Sequence, residues 1–181
     1  MTNFSKTINL PSTNFSMKAN LSETETNWIK FWKEEKIYKK LKDERGKNKS
    51  YILHDGPPYA NGDLHLGHAL NKILKDFICR IKFQNSMNVN YIPGWDCHGL
   101  PIEWKIEEKF KKLGKKKNEI GLKEFRNECR KFANHWVDEQ KIQFERFGIQ
   151  TNWEKIYLTM TPDSELSIVK ELSVFDIKLF K

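Results

Sequence analysis

Two histidines, His65 and His68, stand three residues apart on either side of Gly67, directly after Asp55-Gly56-Pro57-Pro58-Tyr59-Ala60-Asn61-Gly62-Asp63. That preceding segment contains almost every turn-forming residue type, so neither a strand nor a helix runs through it. Residues three apart share one helical face. If a helix begins at about His65, both imidazoles sit in its first turn, beside unpaired amides and the positive end of the helix dipole. Such a place suits a polyphosphate. Imidazole N–H groups donate to phosphate oxygens as charge builds in a transition state, while Gly67, lacking a side chain, lets a flat base approach the backbone. Two histidines at this spacing also occur as a surface accident or as half of a metal site. The loop directly after a strand is the context that favours phosphate.

A second segment, Gly94-Trp95-Asp96-Cys97-His98-Gly99-Leu100-Pro101-Ile102-Glu103, puts an acid just past another short apolar stretch. A buried carboxylate needs a cation or several amide donors. Spacing leaves two readings of Asp96 open: it faces a bound ammonium, or it caps local amides in an ordinary turn.

The elements that must position these groups are legible as patterns. Ser50–His54 and Val89–Ile92 read as short buried strands, and the apolar spacing of Leu66, Leu70, Ile73, Leu74, Phe77, Ile78 and Ile81 reads as a helix between them, with Lys72, Lys75 and Lys82 outward. Strand, loop, helix, strand predicts a parallel pair with a right-handed crossover. Ligands of such sheets bind beyond the strand C-terminal ends, where both turn-rich segments meet. Upstream, Ser22-Glu23-Thr24-Glu25 reads as a capping box opening a helix that ends near Gly46. Residues 1–20 read as an extended arm. Downstream, a basic stretch from Lys109 to Lys117 precedes a long helix from Leu122 to Phe147, stopped by Gly148. A last helix begins at Thr161-Pro162 and carries an apolar stripe of Leu166, Val169, Leu172, Phe175 and Leu179.

Composition bounds the partners. A net charge of +8 over 181 residues suits an anionic partner such as nucleic acid. No apolar run reaches the roughly 18 residues a membrane span needs, and no secretory leader opens the chain, so a cytoplasmic address and no membrane contact are expected. The three cysteines, Cys79, Cys97 and Cys129, form no short Cys-x-x-Cys pair, and the ligand spacings of a zinc site are missing.

Pro58 to His68, ending in His-x-Gly-His, together with the Gly-Trp-Asp-Cys-His-Gly-Leu-Pro-Ile-Glu segment, resembles the class I aminoacyl-tRNA synthetases, and within them the isoleucyl branch. The likeness runs from about Met17 through Asn152-Trp153 to Tyr157-Leu158-Thr159. It implies an α/β, Rossmann-like parallel-sheet nucleotide-binding half-domain with long flanking helices. The domain plan expected is an arm over 1–20, a helix over 21–46, and the first half of the catalytic domain over 47–181, ending before the editing insertion. His65 and His68 would be catalytic, binding the phosphates of ATP with Pro58, Asn61 and Gly62, while Gly67 meets adenine. Gly56 and Pro57 would line the amino-acid site, and Asp96 would take the ammonium of L-isoleucine. Mg²⁺ would accompany ATP, no zinc is expected here, tRNA(Ile) is the macromolecular partner, and the full-length form would be a monomer. Leucyl and valyl relatives, and a non-catalytic tRNA-binding module, are the competing readings. No Lys-Met-Ser-Lys-Ser loop or anticodon-binding region is found, so half an active site is expected, unable to complete aminoacylation alone.

Overall fold

The computed structural model describes residues 7–9, 14, 18–115 and 119–179, the last four by backbone alone. The chain order is α1 (Leu21–Glu34), α2 (Ile37–Arg45), β1 (Ser50–His54), α3 (Leu66–Gln84), β2 (Asn88–Ile92), β3 (Gly94–Trp95), α4 (Leu100–Lys112), α5 (Leu122–Arg146), β4 (Tyr157–Leu158) and α6 (Pro162–Leu179). Most of the expected arm, the Lys116-Lys117 part of the basic stretch and the final Phe180-Lys181 lie outside the described residues.

β1 and β2 pair in parallel, from Ser50 opposite Asn88 to His54 opposite Ile92, with α3 as the connection between them. The ladder continues one residue further, where Asp55 N–H donates to Ile92 O at 3.0 Å. A second small parallel pair joins β3 to β4. Its close approach explains Gly94: a Cβ there would meet the Tyr157 ring at 3.0 Å and the Tyr157 carbonyl at 3.1 Å. The fold is therefore α/β with Rossmann-like strand–helix–strand geometry. Trp95, Val89, Tyr91, Ile102, Val137 and Phe144 form the main core, and Ile106, Phe110 and Phe125 a second cluster between α4 and α5.

Several local expectations are corrected. The single helix over 21–46 is two helices, broken where Lys36 takes a left-handed φ of 51°. α1 starts from Asn20, not from a Ser22 capping box, and the Asn20 side chain ties to Glu23 at 2.6 Å. α4 was not expected as a helix. Its Ile102, Ile106 and Phe110 recur every four residues and are all buried, with Pro101 in the first turn and Lys109, Lys111 and Lys112 in the last.

The largest correction concerns which side of α3 faces in. Leu66, Leu70, Leu74, Phe77, Ile78 and Ile81 are exposed, Leu66 to 84%, whereas Lys72, Asp76, Cys79 and Phe83 are buried. Both sides of α3 carry apolar residues, as in a helix covered on two sides. Periodicity selects the larger stripe. The orientation is set instead by polar ties inward: Arg80 and Gln150 N–H bind Asp76, while Lys72 and Lys75 reach Asp55. The stripe of α6 is likewise exposed at Leu166, Val169, Leu172 and Phe175.

Candidate active site

β1 ends at His54, and the chain then loops for eleven residues before α3, which forces the loop to lie over the C-terminal ends of the parallel strands. Three tethers hold it there. Asp96 N–H donates to Pro58 O at 2.8 Å and Ala60 N–H donates to Asp96 O at 3.0 Å, so the loop pairs with the segment after β3. Gln140 of α5, 1% exposed, donates from Nε2 to Tyr59 O and Gly62 O at 3.1 and 2.7 Å and accepts from Trp95 Nε1 at 2.9 Å. Gln143, one turn on, accepts from Leu64 N–H at 3.0 Å and donates to Asp63 at 2.8 Å. Neither glutamine was singled out in the sequence.

At the loop's exit His65 is the N-cap of α3, in extended backbone. Its Nδ1 accepts from Gly67 N–H at 3.1 Å, and His68 Nδ1 accepts from His65 N–H at 3.4 Å, a reciprocal capping box made of imidazoles. One of the amides expected to be open is therefore occupied. A nitrogen that accepts carries no proton, so these two contacts favour the Nε2–H tautomer of each neutral ring. The rings stack with centroids 3.9 Å apart, inclined by 23°. Burial first, and the neighbouring His65 second, holds His68 below the usual 6.5. A Cβ at Gly67 would lie 2.9 Å from His65 Cε1, so a side chain there would make the His65 ring shift.

Asp96 is half-buried. Its Oδ1 accepts from His98 N–H at 3.2 Å and Thr159 Oγ1 at 3.3 Å, as a local cap does. Among the described residues Oδ2 has no such partner. Gly56 and Pro57 are exposed at the loop's start, and Pro58, Asn61 and Gly62 are half-buried within it. The structure thus brings Pro58 beside Asp96 directly, and places His65 and His68 at the loop's far end. Burial first, then the Asp96 charge, pushes the Cys97 thiol up to about 11, so it stays protonated and unreactive at neutral pH. Among the described residues no three His, Cys, Asp or Glu side chains converge as metal ligands.

A cleft of about 1150 Å³ is lined by Lys33, Lys36, Lys39, Lys42, Trp153 and Tyr157 among others, and by none of the residues expected in the site. The residues expected to carry the chemistry lie along the loop and not in this cleft.

A parallel strand, a backbone loop over its end and paired imidazoles on the next helix form the candidate site of an α/β fold. The family model described as tRNA synthetases class I (I, L, M and V) matches residues 27–176, and the chain belongs to that family. Among individual proteins, it is 54% identical to the isoleucine–tRNA ligase of Pelagibacter ubique over 169 residues, which cover 93% of this chain and 19% of that one. The isoleucine–tRNA ligase of Brucella abortus is 51% identical over 95% of this chain and 18% of its own, and that of Zymomonas mobilis 52% identical over 93% and 18%. This chain therefore spans about a fifth of the length of the relatives it matches. A solved LeuRS of Agrobacterium radiobacter K84, in a ternary complex with tRNA and LeuAMS, shares the fold with a TM-score of 0.63 at 23% identity, over 89% of this chain and 18% of that one.

Proposed function

We propose that this chain supplies one side of the active site of an isoleucine–tRNA ligase, which joins isoleucine to ATP as an adenylate and passes it to tRNA(Ile). The observation that supports the reading is the imidazole capping box at the start of α3: each Nδ1 accepts a backbone N–H, which leaves Nε2 of each ring to donate, at the far end of a loop bonded to Asp96. Asp96 Oδ2 takes the amino-acid ammonium, with the Gly56 and Pro57 backbone beside the side chain. Pro58, Asn61, Gly62 and Gly67 receive the nucleotide.

In the reaction a carboxylate oxygen of isoleucine bonds to the α-phosphorus and the bond to pyrophosphate breaks. Negative charge grows on phosphate oxygens, and His65 and His68 meet it with hydrogen bonds already aimed. No residue here is a covalent nucleophile, so rate comes from alignment and charge stabilisation. A tRNA hydroxyl then attacks the acyl carbonyl and AMP leaves. Mg²⁺ would accompany the nucleotide and help pyrophosphate leave; among the described residues no three His, Cys, Asp or Glu side chains converge as ligands for it. Among the described residues no helix is long and apolar enough to cross a membrane. A cytoplasmic, monomeric enzyme is the setting we infer for the whole protein.

The test is a chimera in which this segment replaces the matching fifth of the Pelagibacter relative. Isoleucine-dependent exchange of pyrophosphate into ATP is expected, and is lost by about 10²-fold or more in His65→Ala/His68→Ala. Exchange that follows leucine or valine, or survives the double substitution, would sink the reading.

A further inference from the structure

Asp55 is 2% exposed, and its carboxylate is gripped from two positions on α3. Lys72, 3% exposed, forms an ion pair with Oδ2, and Lys75 donates to Oδ1 at 2.5 Å. Neither Lys72 Nζ nor Asp55 Oδ2 has a hydrogen-bond partner beyond this pair. The Lys72 ammonium also lies 4.9 Å from the centre of the Phe144 ring, so the cluster reaches α5 as well. Burial, with the Lys75 charge second, pushes Lys72 down from 10.5 to about 7, so the ammonium is costly to keep in this place.

Energetics argues against a stabilising role. A buried ion pair lacking further hydrogen bonds recovers little more than its desolvation cost, and apolar replacements of such pairs are often neutral or better. Its geometry is specific, however. Asp55 immediately precedes Gly56 and Pro57, and Lys72 follows His68 by one helical turn. One carboxylate thus links the start of the amino-acid subsite to the helix that carries the phosphate subsite.

We propose that Asp55, clamped by Lys72 and Lys75, is a positioning residue that sets the separation between the amino-acid and phosphate subsites. The proposal rests on the function inferred above and deepens it. A ligand that occupies one subsite tolerates a shifted loop. A ligand that bridges both does not.

The test uses the double variant Asp55→Asn/Lys72→Met, which removes both buried charges and leaves Lys75 able to reach water. Its melting temperature is expected to stay close to the parent's. Its affinity for a non-hydrolysable isoleucyl-adenylate analogue falls about tenfold or more, while affinity for ATP alone changes less than about threefold. Lys75→Met, which keeps the buried pair, gives a smaller loss of the same selectivity should the double variant fail to fold. Analogue binding that is unchanged, or that falls in parallel with ATP binding, overturns the proposal. A ligand-free measurement decides it even if the parent binds neither compound, the result that would count against the function instead. Amide exchange at Ala60 and Asp96 rises about tenfold in the double variant with α5 unaffected. Unchanged exchange at those amides overturns the proposal.

Discussion

Gly67 is where the chemistry is most constrained at the scale of single residues. Its hydrogen stands where a methyl group would press on the His65 ring, and that ring accepts the Gly67 N–H. Gly67→Ala should therefore displace His65 and open the capping box, lowering ATP affinity about tenfold or more with about 1 kcal/mol of lost stability. Calorimetric titration beside thermal melting checks this, and unchanged ATP affinity would exclude it. His68 gives a pH signature. Its folded form holds a proton less firmly than the usual 6.5, so the unfolded chain binds more protons just below that pH. Stability from this group is complete above 6.5 and declines as pH falls toward the lowered value. Denaturant midpoints from about pH 7.5 to about pH 5 should drop in the parent and drop less in His68→Gln; equal slopes would refute the assignment. The histidines, glycines and Asp96 were readable because caps and turns are local chemistry. Asp55 was not, since its partners sit 17 and 20 residues away on the side of α3 that periodicity assigned to solvent.

Among elements, α5 is the support on which the loop rests, through Gln140. Replacing Gln140 with Leu strands the Trp95 Nε1–H and the carbonyls of Tyr59 and Gly62. At roughly 1 to 3 kcal/mol for each unsatisfied buried group, a loss of about 3 kcal/mol is expected, since parts of the loop can turn to water. Chemical denaturation measures it, and a loss below about 1 kcal/mol would mean that the loop holds itself. Nothing in the sequence marked Gln140, because a glutamine on a long polar helix looks like solvated surface. The strands and the long helices were legible from length and spacing. α4 was hidden because its first turn overlaps a segment dense in Gly and Pro, and the β3–β4 pair because each strand has only two residues.

For the whole molecule the dominant fact is exposed apolar surface: the ridge of α3 from Leu66 to Ile81, Ile52 of β1 and the stripe of α6 are each uncovered. Apolar patches of this extent bind hydrophobic dyes and promote association. The chain alone should enhance ANS fluorescence. Leu70→Ser with Phe77→Ser should reduce that signal and raise solubility while shifting stability by less than about 0.5 kcal/mol, because both side chains are already wet. A loss above about 2 kcal/mol would show that they are covered in solution. The same ridge has a consequence for production. A row of wet leucines with a phenylalanine among them lets chains adhere to one another before folding is complete, so recovered yield should fall as expression rises and recover with Leu70→Ser/Phe77→Ser.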